Sequence, residues 1–202
     1  MIYLTSMLLL PLVQPSSLVG ADRDHCSVGE IERLMKAHEI IPDLLLSPAA
    51  QKLEVFYDDF KIDMGGTLNY VDSLAPPTEF RWDYDKNAYY SLVYTGLDVP
   101  SREEPTERES QHWIVGNIPQ NNVSAGEIIF PFQPPGMQYA PGNHRMVFVV
   151  FKQRDEKPIH FDELDLNLRR TSVNRAYYST AEFGKKYQFG NALAINFFEF
   201  TI

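Results

Sequence analysis

Three stretches of this 202-residue chain are apolar for about the length of one strand and are then cut off by turn formers. They are Ala88-Tyr89-Tyr90-Ser91-Leu92-Val93-Tyr94, the segment from His112 to Ile118, and the segment from Met146 to Phe151. Their β-branched and aromatic content, with no polar face, predicts strands buried on both sides. Leu53, Val55 and Tyr57 alternate with Glu54, Phe56 and Asp58, the period-2 pattern of a strand. Between the runs stand Gly65-Gly66, Pro76-Pro77, Pro134-Pro135 and Pro141-Gly142, which break any longer element. No repeat at a fixed period and no low-complexity linker interrupts this alternation. A mainly β domain built as a two-sheet antiparallel β-sandwich, with a few peripheral helices, satisfies the pattern.

One helix is legible near the start. Ser27 stands three residues before Glu30, the spacing of a capping box, and Ile31, Leu34, Met35 and His38 follow at helical intervals. Pro42 is the expected stop. A short late helix is expected over Ala176 to Phe183.

Composition narrows the function classes. A hydrophobic content of 44% with 22% charged residues describes a folded domain rather than a disordered chain. The net charge of −9 disfavours a nucleic-acid partner, and no basic block suited to anionic lipid is present. Residues 1–21 carry no charge, hold the apolar run Met7 to Val13, and end in Val19-Gly20-Ala21 ahead of Asp22. Although a positive n-region is missing, this reads as a secretory signal peptide, with a single domain over 22–202. The apolar core is too short to span a membrane. In that compartment Asn122-Val123-Ser124 becomes a glycosylation sequon, set in a polar stretch. Cys26 is the single cysteine, so no intramolecular disulfide forms; it is either a free thiol on the N-terminal arm or a link to another molecule.

The second half carries motifs in one order. Gly96-Leu97-Asp98-Val99-Pro100-Ser101-Arg102 comes first, then Gln111-His112-Trp113-Ile114-Val115-Gly116-Asn117, then Pro134-Pro135-Gly136, then Gly142-Asn143-His144-Arg145-Met146-Val147-Phe148. Taken alone, a carboxylate beside Pro100 is a turn former, and a histidine opening an apolar strand is a structural residue. Taken together, the motifs resemble the phosphatidylethanolamine-binding protein family, whose pattern reads roughly DPDAPSR, REWHHxxVxN and GPPxxxxxHRY, over about Met35 to Phe200. The resemblance implies a large and a smaller sheet with peripheral helices. It also implies that Asp98, His112 and His144 meet at one end of the large sheet, with Pro100, Pro134 and Met146 lining a pocket for a phospholipid headgroup or small anion. Imidazole N–H groups donate to phosphoryl oxygens, so that assignment is chemically sound.

The chain departs from the pattern where the pocket should be. Gly96 replaces an acid, Met146 replaces a tyrosine, Glu107 stands where tyrosine is common, and Ser110-Gln111 replace a Trp-His pair. A smaller, less polar wall with Met146 and Tyr139 as liners follows, and so does weaker headgroup binding. Removing an acid also disfavours the protonated imidazoles. No Gly-x-Ser-x-Gly elbow is present and His25, His38, His112, His144 and His160 lack metal-ligand spacing, so neither an enzyme, a cofactor nor a metal is expected. Two other roles share the pattern: a family-like structural domain of a mitochondrial large-subunit ribosomal protein, matched at Thr95-Gly96-Leu97-Asp98 and Phe148 to Gln153, and a secreted protease inhibitor or protein-interaction module.

Protein recovered from culture medium is expected to begin at Asp22 and to carry a glycan mass on Asn122 by intact-mass analysis. Full-length chain retained in cells or mitochondria would count against secretion and for the ribosomal role.

Overall fold

The computed structural model describes residues 26–58, 60–136, 138–163 and 175–202. The signal peptide expected over 1–21 lies outside them. Helix α1 (Val28–Ala37) opens as the sequence predicts: the Ser27 side chain accepts from the Glu30 N–H at 3.2 Å. The reciprocal half of the capping box is absent, because the Glu30 carboxylate pairs with Arg33 instead. Ile31 and Met35 form its buried stripe. The helix ends at Ala37, not at Pro42: the His38 N–H caps back to Leu34 and Lys36, and Glu39 turns the chain with φ of 56°. Pro42 falls in a second short turn, Ile40–Asp43.

The apolar runs become the centre of one sheet. Its strands are β1 (Gln51–Lys52), β4 (Gly66–Thr67), β6 (Tyr89–Gly96), β7 (Ser110–Pro119), β8 (Glu127–Phe130), β9 (Asn143–Lys152) and β10 (Ala194–Thr201). The order is β1-β10-β9-β6-β7-β8, with β4 also on β10. A smaller antiparallel sheet, β3-β2-β5, comprises β2 (Glu54–Tyr57), β3 (Phe60–Ile62) and β5 (Glu79–Arg81). The expected two-sheet architecture is therefore present, with one correction. Both β1 and β4 pair with β10 in parallel. Between them the chain leaves for the small sheet, and the buried Asn196 amide donates to the carbonyls of Leu53 (2.7 Å) and Ile62 (3.1 Å) across the gap. One side chain thus satisfies two carbonyls that lost their ladder partners.

Alternation along the central strands explains why they are apolar throughout. Met146, Phe148 and Val150 pack toward the small sheet with Tyr94 and Phe198, whereas Val147, Val149 and Phe151 pack toward α1 and helix α2 (Thr180–Lys186). The late helix begins at Thr180, later than Ala176, because Ser179 rather than an upstream residue supplies the cap to the Glu182 N–H. Asn122 is exposed beside the turn Val123–Ala125. Among the described residues no helix is long and apolar enough to cross a membrane.

Arg145 on β9 joins α1 to the sheet. All five of its side-chain N–H donors are used, on Asp98 Oδ1 and Oδ2, Asp43 Oδ2, and the carbonyls of His38 and Glu39. The Asp98 carboxylate is completely buried and Arg145 is 1% exposed. Removing one member of such a pair strands the other in low dielectric. Arg145→Met is expected to lower unfolding free energy by about 3–5 kcal/mol, measured by urea denaturation of the full chain. A loss below about 1 kcal/mol would place the pair with ordinary surface bridges.

Candidate functional site

Strand β6 ends at Gly96, and the chain turns through Asp98 and Pro100 toward the head of β7. At that end the ladder is irregular: Tyr94 pairs with Trp113 and Thr95 with Gln111, so His112 is the extra residue of a bulge. Bulges re-aim a side chain, and this one turns His112 to the small-sheet side, against Tyr94 at 5.4 Å between ring centroids. His144, at the head of β9, reaches the same place. Its ring lies 5.3 Å from Phe200 and 4.8 Å from Tyr139.

The two histidines meet on Tyr139, a side chain of the Pro134–Gly142 loop that is 6% exposed. The Tyr139 hydroxyl is 2.8 Å from His112 Nε2 and 3.4 Å from Met146 Sδ. His112 Nδ1 lies 2.8 Å from the Gln133 carbonyl, which can only accept, and this assigns the ring proton to Nδ1. Nε2 is then a lone pair that accepts from Tyr139. Burial pushes His112 down to about 4; the Gln133 bond opposes this and the Arg175 charge adds to it. For His112 this is the direction expected from Gly96, but its causes are burial and Arg175 rather than a missing acid. His144 Nδ1 faces the Asp98 carbonyl (2.9 Å) and Nε2 faces the Ala140 carbonyl (2.7 Å); both partners only accept, so a neutral ring donates to one of them and both bonds form only on a doubly protonated ring.

Asp98 contributes differently from the expectation. Its backbone carbonyl meets His144, while its carboxylate turns to the helix side and takes Arg145 N, Nε and Nη2 at 2.8, 2.9 and 2.6 Å, with Arg108 Nη2 at 3.3 Å. Burial opposes its ionisation, and the Arg145 bonds and charge, with Arg108 behind them, outweigh burial and hold it below the usual carboxylate range. The Pro100 carbonyl accepts from Ala140 N at 2.8 Å and so pins the loop that carries Tyr139. Pro134 is half-buried and Met146 fully buried. Gly96 explains the arrangement: a Cβ at this position would lie 1.8 Å from the Tyr139 hydroxyl and 3.1 Å from Met146 Sδ. The space left by the missing acid side chain is filled by a phenol from the same chain.

The model describing phosphatidylethanolamine-binding proteins matches residues 55–192. The chain belongs to the phosphatidylethanolamine-binding protein family. Its curated relatives include "Putative odorant-binding protein A5" of Drosophila melanogaster, 28% identical over 170 residues, covering 84% of this chain and 79% of the relative. Solved structures of the same fold include a carboxypeptidase Y inhibitor complexed with its cognate proteinase, 17% identical, TM-score 0.69, covering 86% of this chain and 96% of that one. A phosphatidylethanolamine-binding protein from Plasmodium vivax is 16% identical with a TM-score of 0.65, covering 84% and 96%.

Two residues of this family member escaped the sequence reading. Arg145 sits inside the quoted motif but was read only as a motif letter. Glu109 is buried on the other face of the sheet, where it accepts from Thr95 Oγ1 and from the N–H and hydroxyl of Thr180. Burial pushes its carboxyl up to about 7, against those bonds and the Arg108 charge.

Glu109 and His112 bias stability in opposite directions. Between about pH 4.5 and 7 the folded state holds the extra proton, on Glu109, so its contribution falls as pH rises. Between about pH 4 and 6.5 the unfolded state holds the extra proton, on His112, so its contribution rises with pH. The slopes therefore offset one another from about pH 4.5 to 6.5, and the Asp98 contribution is lost only in more acid solution. Glu109→Gln is expected to unmask a rise in unfolding free energy approaching about 1.4 kcal/mol per pH unit relative to the unaltered chain. His112→Asn should unmask a fall. Urea titrations every half pH unit check both, and profiles parallel to the unaltered chain would refute the assignment.

Proposed function

We propose that this protein is a secreted, non-enzymatic binding protein that takes a small amphiphilic molecule where His112, Tyr139 and His144 meet. Asp98, Pro100 and Pro134 shape the surrounding turns, and Met146 forms the floor. The observation that carries this reading is the convergence of two histidines, from strands far apart in sequence, on one side chain at the sheet end. Such a constellation is costly to build in a core that could be filled by leucine. The name of the Drosophila relative, an odorant-binding protein, supports binding as the role and secretion as the setting. The uncharged leader over 1–21 and the exposed Asn122, offered as glycan acceptor, fit that setting.

Catalysis is disfavoured by the hydrogen bonds. His112 spends both nitrogens on Gln133 and Tyr139, and His144 turns both toward backbone carbonyls, so neither is placed as a base toward Ser101 or Ser110. The Ser101 hydroxyl instead accepts from Glu104 N at 3.1 Å.

The Met146 methyl group is the natural reporter, because its sulfur already touches the occupant of the site. In protein labelled with 13C at the methionine methyls, the Met146 signal, assigned by Met146→Leu, is expected to shift saturably with at least one of two amphiphiles of different headgroup, dihexanoylphosphatidylethanolamine and 1-octanol. A static Met146 signal with both probes would remove the site from this end of the sheet.

A further inference from the structure

We propose that Tyr139 is an internal occupant of the binding site and that the site's external ligands are neutral ring compounds bearing one hydroxyl, not phosphate esters. This rests on the reading of that end of the sheet as the binding site, and it names the chemical class the site selects. The hydrogen-bond polarity carries the argument. A phosphate monoester is an array of acceptors with negative charge and needs donors around it. Here the one ring nitrogen turned into the site, His112 Nε2, is an acceptor, because the Gln133 carbonyl holds the ring proton on Nδ1. The His144 nitrogens point at the carbonyls of Asp98 and Ala140, so neither turns an N–H into the site. The buried Arg145 has no N–H to spare, since all five donors are bonded. An entering phosphate would meet a lone pair, a thioether and aromatic edges.

A phenol meets what it needs. The Tyr139 hydroxyl donates to Nε2, its ring stands edge-on to His144 and Phe200 with centroids 4.8 and 5.5 Å away, and Gly96 leaves the space for its oxygen. The chain itself therefore displays the complementary ligand. An outside molecule of this class competes with Tyr139, and its apparent affinity is reduced by the fraction of molecules in which Tyr139 occupies the site. Deleting the phenol side chain removes the competitor and leaves the acceptor, the thioether and the aromatic walls.

The test uses the full chain and Tyr139→Ala with three probes, p-cresol, toluene and phosphoethanolamine, followed by calorimetry and by the Met146 methyl signal. Tyr139→Ala is expected to bind p-cresol at least about tenfold more tightly than the unaltered chain. It should bind p-cresol more tightly than toluene by roughly two- to tenfold, the worth of one hydrogen bond. Phosphoethanolamine should leave the Met146 signal unmoved. If Tyr139→Ala does not fold, Tyr139→Val carries the same expectations with a smaller space. Toluene binding as tightly as p-cresol would show a bare apolar cavity and overturn hydroxyl recognition. A Met146 shift with phosphoethanolamine and none with p-cresol would overturn the ligand class while the site reading stands. A folded variant in which no probe moves Met146 would overturn both.

Discussion

The Arg145–Asp98 pair is the interaction on which the rest of the site depends. Asp98 lies in the turn after β6, and Arg145 is the third residue of β9, so their bond fixes the β6 exit against the β9 entry. The same guanidinium holds the carbonyls at the end of α1 and the Asp43 carboxylate of the following turn, which ties the N-terminal helix to this corner. Because successive residues of a strand face opposite ways, Arg145 pointing to the helix side obliges His144 to point to the small-sheet side. The Asp98 carbonyl then receives His144, so one turn residue orients both faces of the strand end. Buried pairs of this kind add little net stability over an apolar replacement. Their contribution here is geometric: the donor set of Arg145 is complete only when three separate segments are in place.

The second constraint is the bulge at His112. Without it, strict alternation would put His112 and Trp113 on opposite faces. With it, both rings join the aromatic group around Tyr94, where Phe148 stacks at 4.1 Å and Phe132 lies edge-on to Trp113 at 5.8 Å. Gln133 holds the bulge in a reciprocal contact, its N–H to the His112 carbonyl at 2.8 Å and its carbonyl to His112 Nδ1. The tautomer of the ring is therefore a consequence of how the strand is bent. The placement of donor and acceptor at the site is set by the backbone of β7 and its neighbour.

Much of this fold was legible because the strands repeat every two residues and because glycine and proline mark their ends. The double-sided apolar runs, the two sheets and the Ser27 cap follow from local rules that tertiary packing then reinforces. The parallel edge segments β1 and β4 were not legible: each pairs two residues with β10, too few to show a period, and their register depends on Asn196 some 130 residues or more away. The end of α1 was misplaced because the turn at Glu39 comes before Pro42 and is held by Arg145, a residue distant in sequence. At the site, motif order singles out His112 and His144, whose rings both lie against Tyr139. It gave no sign that the Asp98 carboxylate faces the other side of the sheet, since a turn does not alternate as a strand does.

Tyr139 marks the limit of motif reading most clearly. Its role depends on a space, and a space is a property of several residues at once. Gly96 lacks a Cβ, Met146 supplies a flexible thioether where a rigid phenol would crowd the hydroxyl, and the Pro100 carbonyl anchors Ala140 next to Tyr139. Each departure from the family pattern, taken singly, looks like a lost polar contact. Together they form a matched set, because an acid at position 96 and the observed Tyr139 cannot share the same volume with a Cβ only 1.8 Å from the hydroxyl. Where the family pattern places an acid, this chain seats a neutral hydroxyl donor. That donor makes the burial of His112 tolerable: a neutral imidazole with both nitrogens bonded has no unmet polar group to solvate. The substitutions at Gly96 and Met146 are therefore better understood as consequences of seating Tyr139 than as decay of an anion pocket.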